Sequence, residues 1–439
     1  MKKKYRIILY TSIFLLCVVA SIILVVKKSN SVYEEESKPK VVKHKSMLSM
    51  NLEQTAGAGD YKTVTQSSWP TEGYKFNAEL SRCENGSTLS WDDTKKAVIM
   101  QGNVSDKCYV YFDIWIPSIA DYCTSGTDLA TCVKNFGDQG PSVSNIYIHN
   151  SSLTNGAGDN SYRYAGANPN NFVCFGSDTS PCPTDNLYRI IGVFGENYHG
   201  VTGKQLVKLI KYDYMTTDEL GTDGDYSQTY KEWGMDSTYK GTYGDGERIG
   251  VYYWNYKATG SATNTWSTSL LNKTNLNTNF INNIGTTWAN KIATVTWKVG
   301  GNTYANISDV VPATTYQNEI VNPVTTNTTD NATTYSAKIG LMYVSDYGFA
   351  ASPDAWTLTM NSYNNTTATN NNWMYMGLYE WTISRIAGNS FNAFSVNYGG
   401  RVNYDYVYYN CGVRASFSLE SSVSYVSGSG SMSDPIVIN

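Results

Sequence analysis

The residues best placed to do chemistry lie near the carboxyl end, and they are rings and amides more than acids, bases or nucleophiles. Asn403–Cys411 reads NYDYVYYNC. A Tyr gives a large amphipathic contact for two χ angles of lost freedom, and Asn, Ser and Gly adapt their hydrogen bonds around it. In an extended strand alternate side chains share a face. Tyr404, Tyr406 and Tyr408 are then expected on one face, with Asn403, Asp405, Val407 and Tyr409 on the other. A solvent-exposed Tyr row would be an aromatic patch of the kind that marks an interaction site; a buried row would be core. Asn389, Asn392, Asn397, Tyr398 and Asn410 complete the expected ligand-binding set.

The residues for catalysis are sparse. The chain has only three His (His44, His149, His199), which argues against a His-based metal enzyme. Asp346, Asp354, Glu380 and Asp405 are carboxylates without the spacing of an acid–base pair. Cys411 has no His or Lys close in sequence to lower its pKa. No serine-nucleophile elbow, P-loop or HExxH occurs. Calcium would need Asp and Asn oxygens, and no dense acidic loop supplies them. We therefore expect no enzyme, no metal and no other cofactor.

The elements that must carry this segment follow from composition. The chain has 439 residues, 13% aromatic and 16% charged, with 36 Tyr. So few charges and so many rings describe a folded, β-leaning protein rather than a disordered one. A net charge of -4 leaves no basic excess to displace phosphate counterions, so no nucleic-acid partner is expected. The charge is also uneven. Residues 1–50 hold 10 of the 33 Lys+Arg and 3 of the 37 Asp+Glu, which leaves 23 basic against 34 acidic groups in the body.

Ile7–Val26 (IILYTSIFLLCVVASIILVV) carries no charge and is flanked by MKKKYR and Lys27-Lys28. At helical rise this run spans about 30 Å, the thickness of a bilayer's hydrocarbon. It is expected to be a transmembrane helix after a cytoplasmic tail at 1–6; a cleaved signal peptide is the rival reading. Lys on both flanks leaves the orientation to the cysteines.

Eight Cys occur. Apart from Cys17 and Cys411 they fall into three local couples: Cys83 with Cys108, Cys123 with Cys132, and Cys174 with Cys182. Six Cys allow fifteen pairings, and the sequential one is expected. Zinc is the rival, but neither a CxxC nor a Cys/His cluster is present. Disulfides require an oxidising compartment. That places the amino terminus in the cytoplasm and the body outside the cell, on a single-pass anchor in the cell membrane.

Residues 27–70 read as a polar linker, 71–118 as a small β unit, 119–170 as a helix and connector, and 171–439 as the main domain. Within it Leu187–Phe194 and Gln205–Tyr212 are expected strands. Thr265–Ile284 has near-helical apolar spacing. Asn302–Ser336 reads as a surface insertion, and Ser345 as the cap of the short turn after Ala337–Tyr343. Asn-x-Ser/Thr triplets at Asn85, Asn103, Asn150, Asn272 and Asn306 fit an exposed surface.

The strings SYRYAGANPNNFVCFG, NLYRIIGVF, KIGLMYVSDYGFA, YEWTISR and CGVRASFSL resemble bacterial membrane-anchored surface proteins of unassigned activity, over about residues 75–439. Trp381, Arg385, the Ala393–Val396 strand and Gly412-Val413-Arg414 are similar to C-type-lectin-like domains of the formylglycine-generating-enzyme type, over about 171–425. That resemblance implies an α+β domain with a twisted antiparallel sheet, in which Trp381, Arg385, Gly412 and Arg414 are scaffold. Two departures stand out. The Gly-x-Arg-Pro pattern is Arg414-Ala415 here, and Cys411 alone cannot form the cysteine pair those enzymes use. The same fold carries the variable proteins of diversity-generating retroelements. Residues 382–419 lack Lys, Glu, Gln, Met and Trp, and all of Asn403–Cys411 can be written with pyrimidine-ending codons. Adenine-directed mutagenesis would leave that record, and so would the ordinary composition of polar β-loops. The expected function is surface-anchored binding of a protein or glycan ligand, that is, adhesion. A structural subunit of a surface or pilus-like assembly is the alternative, and it would self-associate once freed of its anchor.

Overall fold

The computed structural model describes residues 48–65, 68–70, 72–223, 230–244, 247–256, 263–323 and 332–439. The expected tail, the transmembrane helix and most of the linker lie outside them. Among the described residues no helix is long and apolar enough to cross a membrane. The chain is α+β, dominated by sheets, and divides into two compact units that meet in sequence at Ile116 and Pro117.

The first unit holds β1 (Leu48–Glu53), β2 (Tyr61–Val64), β3 (Tyr74–Cys83), β4 (Thr88–Asp92), β5 (Ala97–Gln101) and β6 (Cys108–Ile114). Four of these form a sheet in the order β2-β1-β6-β3, and β4 pairs with β5 as a hairpin. Met50, Leu52, Val110 and Phe112 alternate inward and build its core. The expected linker is thus corrected at its far end. Residues 48–64 are strands because Met50 and Leu52 have an apolar face to bury, which a polar stalk would lack.

The second unit continues with β7 (Ile146–Ile148), β8 (Tyr162–Tyr164), β9 (Phe172–Cys174), β10 (Leu187–Phe194), β11 (Leu206–Lys211), β12 (Tyr230–Gly234), β13 (Arg248–Tyr253), β14 (Val295–Lys298), β15 (Gly301–Asn302), β16 (Thr334–Ala337), β17 (Ile339–Gly340), β18 (Glu380–Ile386), β19 (Asn392–Val396), β20 (Val402–Tyr406), β21 (Asn410–Gly412) and β22 (Ser416–Ser418). Among the described residues one sheet runs β17-β22-β11-β10-β8-β7, with β9 on β10. The other runs β12-β13-β21-β18-β19-β20, with β15 on β18. One apolar core joins residues of both, from Ile190 and Leu209 to Trp381 and Phe394. Residues 119–170 belong to this same unit: Leu129, Cys132, Val133 and Phe136 of the helix Leu129–Gly137 are buried in that core, so no boundary falls at 170. The helix starts at Asp128, whose carboxylate accepts the Thr131 N–H at 2.9 Å.

The disulfides are Cys83–Cys108, Cys123–Cys132 and Cys174–Cys182, the sequential pairing. The first joins register partners on β3 and β6. Three expectations need correction. Asn302–Ser336 is not all surface: Ile307, Tyr316 and Ile320 are buried, because short helices turn them onto the core. Ser345 does not cap the helix Val344–Ala350; Asp346 does, accepting the Tyr343 N–H at 3.0 Å, while the Ser345 N–H donates to Glu319. Asn272 is fully buried and donates to the Trp266 carbonyl, so its triplet is not exposed.

Candidate functional site

The four residues expected as scaffold are buried. Trp381 is fully buried and donates its indole N–H to the Tyr252 carbonyl at 2.8 Å, tying β18 to β13. Arg414 grips both oxygens of Glu380, at 2.8 and 2.9 Å, and donates to the Met374 carbonyl. Burial raises the Glu380 carboxyl and the guanidinium opposes that rise. Gly412 faces Glu380 across the sheet; a Cβ there would come within 2.7 Å of the Tyr214 ring. Arg385 is less well served. It donates Nε to the Val299 carbonyl at 3.1 Å, its Nη2 is buried without a partner, and burial lowers its pKa to about 10.

On this frame the edge strands of the second sheet, β12 and β20, present their side chains to solvent. A cavity of about 480 Å³ opens there. Its lining combines Lys231 and Trp233 of β12, Tyr253 of β13, Tyr379 before β18, and Asp405, Tyr408, Tyr409, Asn410 and Cys411 from β20 through β21. That volume lies within the roughly 300–1,000 Å³ of small-ligand sites, and rings with a few polar groups are the usual lining. A second hollow of about 420 Å³ shares Trp233 and Tyr379 and adds Glu232, Asp236, Arg248 and Tyr398. Trp233 and Tyr379 are therefore walls common to both.

The Tyr arrangement differs from simple alternation. Tyr404 and Tyr406 are exposed together on β20, but the strand ends at Tyr406 and a turn follows. Val407 dives into the core, and Tyr408 and Tyr409 emerge on the outside. Tyr406 stacks on Tyr408 with centroids 5.1 Å apart, and Tyr409 meets both edge-on at 5.4 and 5.6 Å. The triad is thus Tyr406, Tyr408 and Tyr409. Tyr404 leans instead on Tyr304 at 5.5 Å.

The amides divide the same way. Asn410 has a buried side-chain oxygen with no hydrogen-bond partner among the described residues. Asn403 is half-buried on β20. Asn392 and Asn397 are corrected: both are buried, Asn392 because it sits inside β19, and Asn397 because its oxygen accepts the Gly399 and Arg401 N–H groups of a turn. Asn389 is exposed, and its oxygen accepts the Phe391 N–H at 2.7 Å, which shapes the preceding loop.

Asp405 is half-buried and accepts the Ser395 hydroxyl at 2.5 Å; burial pushes its carboxyl up. Cys411 is a free, buried thiol that burial, with Asp405 and Glu380 nearby, pushes well up. It stays protonated and unreactive at neutral pH. Among the described residues no three His, Cys, Asp or Glu side chains converge as metal ligands would.

Lys231, Trp233, Tyr253 and Tyr379 were not expected in the site. The sequence held little signal for the first two: YKEWG places two charged residues side by side between its rings and does not alternate. Nothing in it showed that β12 would lie in the same sheet as β20. No family profile, curated protein or solved structure matches this chain.

Proposed function

We propose that the second unit is a ligand-binding domain whose site is the aromatic cavity at Trp233, Tyr253, Tyr379, Tyr408 and Tyr409, and that its ligand is a neutral glycan. The observation that carries this reading is the pairing of five ring walls with an unsatisfied buried acceptor, the Asn410 oxygen. Rings offer flat apolar faces with polar tips, which suit the apolar C–H face of a sugar. Asn410, Asp405 and Lys231 supply an acceptor, an acid and a donor for its hydroxyls. An unmet buried acceptor costs about 1–3 kcal/mol until a donor reaches it, so a ligand hydroxyl there gains that term.

The wider setting belongs to the same reading. The apolar run Ile7–Val26 would anchor the chain, the disulfides would keep the body outside the cell, and the second unit would be a lectin-like scaffold for adhesion. Arg414–Glu380, Trp381 and Gly412 fit the scaffold roles which that resemblance implies. No enzyme activity is proposed: the cavity's one thiol is held protonated.

The test is retention of cells displaying the full chain on immobilised neutral oligosaccharides. Binding that free sugar competes away, and that Trp233→Ala abolishes, supports the reading. Retention only on a protein-coated surface would assign the cavity to a protein ligand, and equal retention of the Trp233→Ala cells would remove the cavity from the account.

A further inference from the structure

The first sheet of the second unit encloses a charged cluster that the ligand site does not use. Lys208 lies mid-strand on β11, and its Nζ sits 2.6 Å from the Asp346 Oδ2, with the two side chains 1% and 0% exposed. The Tyr198 hydroxyl bridges them: it accepts from Nζ at 2.9 Å and donates to the Asp346 Oδ1. The Tyr343 N–H donates to Oδ2 at 3.0 Å. The rings of Tyr343, Tyr198 and Trp297 wall the amine at 4.4, 4.9 and 5.0 Å. Glu319 holds the adjoining backbone, accepting the Val344 and Ser345 N–H groups, and so positions Asp346. Arg163 has its own carboxylate, Asp159, at 2.8 Å, and its Nη1 also lies 3.9 Å from the Asp346 Oδ1.

We propose that Lys208 and Asp346 join through an intramolecular isopeptide bond, formed by the protein itself. The amine contacts one carboxyl oxygen, and the Tyr198 hydroxyl bridges it to the other. Holding reactants in such contact replaces a bimolecular encounter by a unimolecular step. Burial lowers the Lys208 pKa, against the pull of Asp346, and so favours the uncharged amine. Tyr198 keeps its proton, since burial and Asp346 raise it well above the usual phenol value.

The step balances without a cofactor. One Nζ proton passes through Tyr198 to Oδ1, leaving a neutral amine and a neutral carboxyl. Nζ attacks Cγ and the C–N bond forms, with the developing charge on Oδ2 facing the Tyr343 N–H, as in an oxyanion site. A second Nζ proton follows the same path, the Cγ–Oδ1 bond breaks, and Oδ1 leaves as water. The third proton stays on the amide. The loss of both charges leaves Arg163 paired with Asp159, so no cation is stranded. The product staples β11 to the helix Val344–Ala350, 138 residues on in sequence.

Tryptic peptide mass analysis of the full chain, denatured and reduced, tests this. The linked form gives Gln205–Lys211 uncleaved at Lys208 and joined to the peptide that contains Asp346, with a mass lower than their sum by one water. Lys208→Arg keeps the charge and abolishes the linked species. Tyr198→Phe slows its appearance after synthesis by about 100-fold or more, the usual worth of a positioned acid–base group. Cleavage at Lys208 with an unlinked Asp346 peptide, from folded wild-type chain, would show an ordinary ion pair and overturn the proposal. Linkage at the wild-type rate in Tyr198→Phe would overturn the relay.

Discussion

The two sheets of the second unit handle polar residues in opposite ways. In the first, all eight residues of β10 and all six of β11 are buried, and Lys208 and Lys211 lie among them. A charge there must find its partner inside, and Lys208 does so at Asp346. In the second, the central strands β18 and β19 are buried throughout, but the edges β12 and β20 mix exposed residues with half-buried or buried ones. Polar and aromatic residues at those edges need no internal partner and remain available to a ligand. The interior of the unit fixes its shape, and the proposed recognition surface lies at the edges of one sheet.

The comparison is most severely strained by removing one half of an internal pair. Arg414→Ala leaves Glu380 buried without its counter-charge, and denaturant unfolding should show a loss of about 3–5 kcal/mol. Arg385→Met is the contrasting variant. It removes a buried guanidinium that has a carbonyl but, among the described residues, no carboxylate, so its cost should stay under about 1 kcal/mol. Equal losses would mean that charge pairing is not what holds the second sheet's centre.

The next effect is a pH dependence set by Glu319. Burial raises its pKa to about 7 from an ordinary value of 4.5, against the pull of its hydrogen bonds. The folded protein then holds a proton that the unfolded chain has lost. Its contribution to stability is present below the unfolded pKa and lost as pH rises from about 4.5 to about 7. The wild-type curve should fall by about 3 kcal/mol more than that of Glu319→Gln across this window. Parallel curves would contradict that assignment.

At the edge the effects should be on binding and not on folding. Tyr408→Ser is expected to weaken ligand binding by about 2 kcal/mol, as for a ring in a binding centre, with stability within about 0.5 kcal/mol of wild type. The smallest effect is on Cys411, whose buried thiol should resist alkylation in the native protein and react after unfolding. Rapid native labelling would place the thiol at an open surface instead.

Local chemistry was the legible part of the sequence. The cysteine couples, 8 to 25 residues apart, and the strands β10, β11 and those after Trp381 were readable from nearby sequence, and the structure has them. The scaffold roles of Trp381, Gly412 and Arg414 came from the resemblance and not from spacing; all three residues are buried. The site was legible only along its own segment. Tyr408, Tyr409, Asp405 and Asn410 line the cavity, whereas Asn392 and Asn397 turned inward at positions that no local pattern distinguishes. Trp233 and Tyr253 come from more than 150 residues upstream, and only the pairing of β13 with β21 brings them there. Lys208 and Asp346 were invisible as a couple for the same reason: long-range pairing leaves no spacing signal.

The ratio between two variants tests the central claim most directly. Affinity for a captured neutral oligosaccharide should be measured for the full chain, Trp233→Ala and Tyr404→Ser under one condition. Trp233 walls the cavity and Tyr404 packs on Tyr304 outside its lining. A cavity that binds ligand predicts a loss of about 30-fold for Trp233→Ala, which is about 2 kcal/mol, and less than about threefold for Tyr404→Ser. Equal losses, or a larger loss at Tyr404, would place recognition elsewhere on the edge and contradict the account.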